Sequence, residues 1–153
     1  MSDNPFTASV HYRNPKAAVD WLARAFGFEL TMLIESPDDE RMLHAEMSLG
    51  GRGRIMIGGE WEGRIRSPAS AGGINTQVIH VDIDEDVDAH CAKARAAGAV
   101  VAAEPEDQFY GARTYRALDP EGHMWTFARF VREVSREEAE KAIGASIYAP
   151  GWK

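Results

Sequence analysis

The sequence predicts an α+β fold. Two tandem βαβββ modules form a curved mixed sheet with helices outside and a cup inside, followed by a C-terminal helical tail. Three observations carry this. Tyr110–Arg129 (YGARTYRALDPEGHMWTFAR) reads as strand, tight turn, strand, with Asp119-Pro120-Glu121-Gly122 as turn chemistry and aromatics recurring at alternate positions after it. Sliding the chain by 71 residues, without a gap, lays Val10 on Val81, Ala18 on Ala89, Ala23 on Ala94, Arg24 on Arg95, Ala25 on Ala96 and Gly27 on Gly98. Neither half could bury both faces of a four-stranded sheet alone, so the two must pack together.

Phe6–Tyr12 alternates, with Ala8, Val10 and Tyr12 on one face and Thr7, Ser9 and His11 on the other. A helix follows, with Asn14 as N-cap, Pro15 at a position that tolerates proline, and Gly27 as its stop. Ala18, Leu22 and Ala25, flanked by Val19 and Phe26, form its buried stripe. Strands are expected at Phe28–Glu35, Arg41–Leu49 and Arg54–Ile57, with a turn at Ser36–Asp39. Gly58–Asn75 is rich in glycine and small residues and reads as a linker or flap.

The plan then repeats. Gln77–Ile83 alternates, with Ile79, Val81 and Ile83 packed. A helix with acids at its start and Gly98 at its stop comes next, then a short strand Val100–Ala103, then the hairpin. One domain therefore spans residues 1–131, with modules at 6–58 and 76–130 and a linker at 59–75. Residues 132–153 form an extension in which Ser135, followed three residues later by Glu138, caps a helix to Ile143. Ile147, Tyr148 and Trp152 make the end of that tail apolar, so it packs on its own sheet or reaches a second subunit.

The composition is that of a soluble globular protein of 153 residues, long enough for a substantial core. No apolar run approaches membrane-spanning length, and the first residues lack the basic start and apolar core of a signal peptide. A net charge of −7 argues against a nucleic-acid partner. A single cysteine, Cys91, excludes an internal disulfide and a multi-cysteine zinc site and fits a reducing cytoplasm. Cys91 falls on a helix stripe and reads as a small buried hydrophobe.

The segments NPKAAVDWLARAFGFE, LHAEMSLG, DVDAHCAKARAAGA and FYGARTYRALDPEGHMWTF together resemble the vicinal-oxygen-chelate superfamily of glyoxalase I, bleomycin-resistance proteins and extradiol dioxygenases. The resemblance covers Phe6 to Phe130 and is closest to the glyoxalase and bleomycin-resistance branch. It implies that metal ligands, where the family has them, come from the cup side of the first and last strands of each module. Carried onto this sequence, those positions are Thr7, Val78, Thr126, and Ile55 or Met56. Divalent ions in such sites want imidazole or carboxylate, so the inherited metal site is expected to be absent and no cofactor is expected. Family relatives also commonly pair as homodimers, which is the expectation here.

Strand phase places a polar set toward the cup: Thr7, Ser9 and His11; Met42, His44 and Glu46; His80 and Asp82; Arg113 and Tyr115; Met124 and Thr126. His44 and Glu46, two apart on one strand, suit a general base with a neighbouring carboxylate, half of a displaced metal site, or a solvated pair. The resemblance aligns Arg113 with a cup-facing arginine suited to a carboxylate or phosphate; a salt bridge to an acid such as Glu46 is the plain alternative. Trp61, Phe109 and Tyr110, on loops, are candidate lid contacts. His123 is expected to close the turn, and Trp21, Trp125 and Phe127 to lie in the core.

Two functions are consistent with these features. One is a cytoplasmic, metal-free protein that binds a small organic molecule in its cup through Thr7, Ser9, His11, Trp61, His80, Phe109, Tyr110, Arg113, Tyr115, Met124 and Thr126. The other is a lyase- or dioxygenase-type enzyme, either with an atypical divalent metal held by His44, Glu46 and His80 or metal-free with His44 as base.

Overall fold

Asn14 and Gly27 bracket the first helix as expected. The Asn14 side chain accepts from the Ala17 amide at 3.1 Å, and Gly27 closes the helix at φ 82°, a left-handed conformation that glycine adopts without strain. The structure is a computed structural model, and it describes residues 4–39 and 42–153. The first module comprises β1 (Ala8–Tyr12), α1 (Pro15–Phe26), β2 (Glu29–Glu35), β3 (Leu43–Leu49) and β4 (Arg52–Gly59). The second comprises β5 (Val78–Asp82), α2 (Val87–Ala96), β6 (Val100–Asp107), β7 (Ala112–Leu118) and β8 (Met124–Phe130). Helix α3 (Arg136–Ile143) lies in the tail.

Each module is a four-stranded sheet, ordered β1-β4-β3-β2 in the first and β5-β8-β7-β6 in the second. Strand β1 runs parallel to β4 and β5 parallel to β8, while the remaining pairs are antiparallel. The identical order is the duplication that the 71-residue shift suggested. Strand β6 runs to Asp107, beyond the predicted Ala103, and two register shifts and Pro105 interrupt its pairing with β7. Predicted strand residue Arg41 lies outside the described residues.

Val10, Tyr12, Ala45, Met47 and Ile57 from the first sheet join Tyr115, Ala117, Trp125 and Phe127 from the second in one buried cluster with α1 and α2. Phe26, at the end of α1, is the hinge pin of this core. Its ring meets Phe127 at 4.6 Å and Trp125 at 5.6 Å between centroids, and it lies parallel to the His90 imidazole at 6.1 Å. The indole of Trp21 donates to the Ala97 carbonyl at 2.8 Å, so α1 is also tied to the exit of α2.

The segment read as a linker or flap is ordered by hydrogen bonds. Trp61 and Ile65 exchange backbone bonds across a tight loop, and a 3₁₀ turn follows at Pro68–Ser70. Ser67 is fully buried, its amide bonds Glu60, and the Ala69 amide donates to the Glu121 carbonyl. The tail folds back on its own chain. The Gly111 carbonyl accepts from the amides of Val131 and Arg132, and the Trp152 indole donates to the Val134 carbonyl at 2.7 Å. A Cβ at Gly111 would stand 2.3 Å from the Arg132 carbonyl, so only glycine permits this approach. Among the described residues no helix is long and apolar enough to cross a membrane.

Asp119, in the β7–β8 turn, is almost fully buried and accepts from four donors. These are the Tyr12 hydroxyl at 2.6 Å, the Trp125 indole at 3.1 Å, and the amides of Glu121 and His123 at 3.0 Å each. Burial, reinforced by this carboxylate, holds the Tyr12 hydroxyl well above its ordinary pKa, so it stays a donor. Replacing Asp119 by Ala strands four donors, at about 1–3 kcal/mol for each that finds no water. Urea denaturation should show Asp119→Ala destabilised by more than about 3 kcal/mol; a loss below about 1 kcal/mol would contradict this role.

His90 is fully buried. Its Nε2 donates to the Phe26 carbonyl at 3.0 Å, which leaves Nδ1 to accept the Tyr115 hydroxyl at 2.5 Å. Burial lowers its pKa, and the unfolded imidazole titrates near 6.5. Below that pH the unfolded chain takes up a proton that the folded chain refuses. Stability should therefore fall as pH drops below about 6.5, with a slope of at most about 1.4 kcal/mol per pH unit from this group, and stay level above it. Denaturation at a series of pH values should show this component in the native chain and not in His90→Gln; an equal slope in both would refute it.

Candidate ligand-binding faces

Residues paired across neighbouring strands share a face, so the register assigns every side chain. The helices cover the face carrying Val10, Ile57, Tyr115 and Phe127. The opposite, helix-free face of the first sheet carries Ser9 and His11 with their row partners Met56 and Gly58, then Glu46 and His44 beyond them. The helix-free face of the second sheet carries Val78, His80 and Asp82, then Met124, Thr126 and Ala128, then Leu118, Arg116 and Thr114. The predicted residues thus fall into two groups, one on each sheet.

On the first sheet the polar groups are committed to one another. Arg54, which the sequence reading passed over, binds the Glu46 carboxylate at 3.1 Å and the Thr7 hydroxyl at 3.2 Å. Ser9 Oγ lies 3.0 Å from His11 Nε2, and His11 Nδ1 donates to the Gly59 carbonyl at 2.9 Å. The His11 ring rests over Gly58, where even a methyl group would touch it. His44 is half-buried and makes no hydrogen bond or ion pair among the described residues. The Glu46 carboxylate is therefore turned to Arg54 rather than to His44, and nothing orients that imidazole as a base. Met42 precedes β3 and is exposed.

On the second sheet two expected positions change. Arg113 pairs with Arg129 and Tyr115 with Phe127, which places both on the helix-covered side. Arg113 is held there by Asp88 of α2, through two bonds of 2.8 and 2.9 Å, and by Asp107 at 3.0 Å. The hydrogen bond from Arg113 lowers the Asp88 pKa, and the two carboxylates raise that of Arg113. Tyr115 is a core residue bonded to His90, and burial raises its pKa. Neither faces the cup. The arginine that does is Arg116, directly opposite Thr126. The signal was in the hairpin itself: with Trp125 and Phe127 in the core, their partners Ala117 and Tyr115 must follow.

His80 sits beside Thr126 and 3.5 Å from Asp82. Met124 lies one row away, opposite Leu118. Trp61 projects half-exposed from its tight loop beyond β4. Phe109 and Tyr110 stack edge-on at 5.1 Å, and Tyr110 lines a groove of about 960 Å³ with Phe130, Val134 and Trp152, beside the tail. His123 does more than close its turn, because its Nε2 bonds the His11 carbonyl at 2.6 Å in the other module.

The positions at which the family resemblance would place a metal hold Thr7, Met56, Val78 and Thr126 on the helix-free faces. Ile55 pairs with Ala8 and belongs to the other side. One thioether, one aliphatic chain and two hydroxyls do not fit a divalent ion. Among the described residues no three His, Cys, Asp or Glu side chains come together as a metal site.

Residues 7–127 match the model of the Glyoxalase/Bleomycin resistance protein/Dioxygenase superfamily. The uncharacterized protein Mb0911c of Mycobacterium bovis is 32% identical over 133 residues, covering 84% of this chain and 85% of its own. Among solved structures, TioX from Micromonospora sp. ML1 is 34% identical with a TM-score of 0.65, over 84% of this chain and 99% of that one. TnmS3, an antibiotic binding protein from Streptomyces sp. CB03234, shares the fold at 18% identity and a TM-score of 0.65, over 86% and 99% of the two chains.

Proposed function

Because this chain belongs to the Glyoxalase/Bleomycin resistance protein/Dioxygenase superfamily, we propose that it captures a small organic molecule against the helix-free faces of its sheets, without a metal. The observation that carries this reading is the donor chemistry at the family's ligand positions. Thr7, Met56, Val78 and Thr126 offer no imidazole or carboxylate, so the hollow is left to shape and hydrogen bonding. The antibiotic-binding neighbour TnmS3 shows that this fold accommodates such a role. A panel of drug-sized aromatic compounds, screened by tryptophan fluorescence against EDTA-treated protein, should yield binders in the micromolar range. Adding zinc, nickel, manganese or iron should change their affinity less than about twofold. A binder that needs one equivalent of divalent ion would overturn the reading.

The protein acts as a homodimer in this proposal, supported by the edge strand β2. Leu30, Met32, Leu33 and Ile34 are each between 44% and 59% exposed there. No proline or lysine guards that strand, whereas β6, the matching edge of the second sheet, carries Pro105. Light scattering at tens of micromolar should give twice the chain's mass, and Leu33→Glu with Ile34→Glu should halve it. A monomeric native protein would refute the dimer.

A further inference from the structure

We infer that the helix-free face of the second sheet is an anion-selecting site, in which Arg116 and Thr126 hold the carboxylate of an amphipathic organic acid. This deepens the capture reading and rests on it. The two faces are unequal in what they leave free. On the first sheet, Arg54, Glu46, Thr7, Ser9 and His11 bind one another or the backbone. On the second, the Arg116 guanidinium and the Thr126 hydroxyl make no hydrogen bond or ion pair among the described residues. They are a directly opposed cross-strand pair. Their Cβ atoms stand about 5 Å apart, within reach of the two oxygens of one carboxylate.

Of the other arginines near the sheets, Arg129 lies opposite Arg113 on the helix-covered side, and four more are held by acids. Arg54 is held by Glu46, Arg113 by Asp88 and Asp107, Arg52 by Asp84, and Arg95 by Glu104. Arg116 is exposed and its other neighbour in the row is Ala103, whose methyl group leaves the guanidinium open to approach. His80 lies on the far side of Thr126 and adds a third polar group to the row.

The adjoining rows set the rest of the ligand. On one side Val78, Met124, Leu118 and Val100 form a continuous apolar row, with Val78 and Val100 exposed by half or more. On the other side Asp82, Ala128, Thr114 and Glu106 carry two acids. A single cation flanked by acids suits a monoanion rather than a phosphate dianion, and a planar carboxylate matches the guanidinium fork. The apolar row takes an aliphatic or aromatic body. Selection between acid and amide then falls to Arg116, and affinity for the body to Met124 and Leu118.

The experiment uses the full chain and three matched probes: 2-naphthoate, 2-naphthamide and 2-naphthylmethylamine. Titrations followed by backbone amide NMR should show 2-naphthoate moving the resonances of Ala117 and Met124–Thr126 and binding at least about tenfold more tightly than the other two. Arg116→Gln should remove that preference, a loss of about 10- to 100-fold for naphthoate with naphthamide unchanged. Thr126→Val should cost naphthoate a few-fold, and Arg54→Gln and Arg113→Gln should cost it nothing. Equal binding of naphthoate and naphthamide at these resonances would refute the anion site while leaving capture standing. So would an unchanged naphthoate affinity in Arg116→Gln. If none of the probes perturbs this face at millimolar concentration, the site and the capture reading on this sheet both fall.

Discussion

A carboxylate removed from water must be surrounded by donors, and Asp119 is surrounded by donors from both modules. Tyr12 comes from the first strand of the first module, Trp125 from the last strand of the second, and two amides from the turn itself. The Tyr12 contact spans 107 residues of chain and makes the second module's turn a fixed point for the first. His123 adds a bond to the His11 carbonyl, and its ring meets Tyr12 edge-on at 4.7 Å. Two sheets that share no strand-to-strand ladder are thereby held in one relation, and the Phe26 cluster fills the space between them. Both helix-free faces depend on that relation for their position.

The chemistry of those faces follows from what packing leaves over. On the first sheet the polar residues other than His44 close on themselves or on the backbone. On the second, the cross-strand neighbour of an arginine is a threonine, and neither makes a hydrogen bond or ion pair among the described residues. The same topology, built twice, has diverged into one surface that stabilises itself and one that keeps its donors in reserve. The most deeply buried parts of the polar network sit elsewhere, in the His90–Tyr115 pair and in the Asp119 turn.

Much of the architecture was legible in the residues. Asn14, Pro15 and Gly27 mark a helix by local chemistry, and strict alternation in Phe6–Tyr12 identifies a one-sided strand; both signals need no tertiary information. The repeat was legible because the glycine stops and strand phases recur together. Arg113 and Tyr115 were misplaced because the phase read for their strand was one residue out from the core positions Trp125 and Phe127 across the hairpin, and a one-residue slip moves every side chain to the opposite face. Arg54 was missed since a lone arginine in a strand carries no sign of its partners. The order of residues 60–75 was hidden too, because its bonds run to Glu60 and to Glu121, the latter 54 positions beyond Ser67.

Glu121 also completes the start of α1. Its two carboxylate oxygens accept the amides of Arg13 and Asn14 at 2.6 and 3.0 Å, although Glu121 stands 108 and 107 positions later in the chain. A helix whose first turn is finished by so distant a partner cannot be fully stabilised while the chain is still emerging from the ribosome. Until the second hairpin is made, the Arg13 and Asn14 amides ahead of α1 lack this acceptor. The two copies of the ancestral unit have become each other's folding template, and neither half, released by itself, would carry the complete set of bonds that closes its own helix.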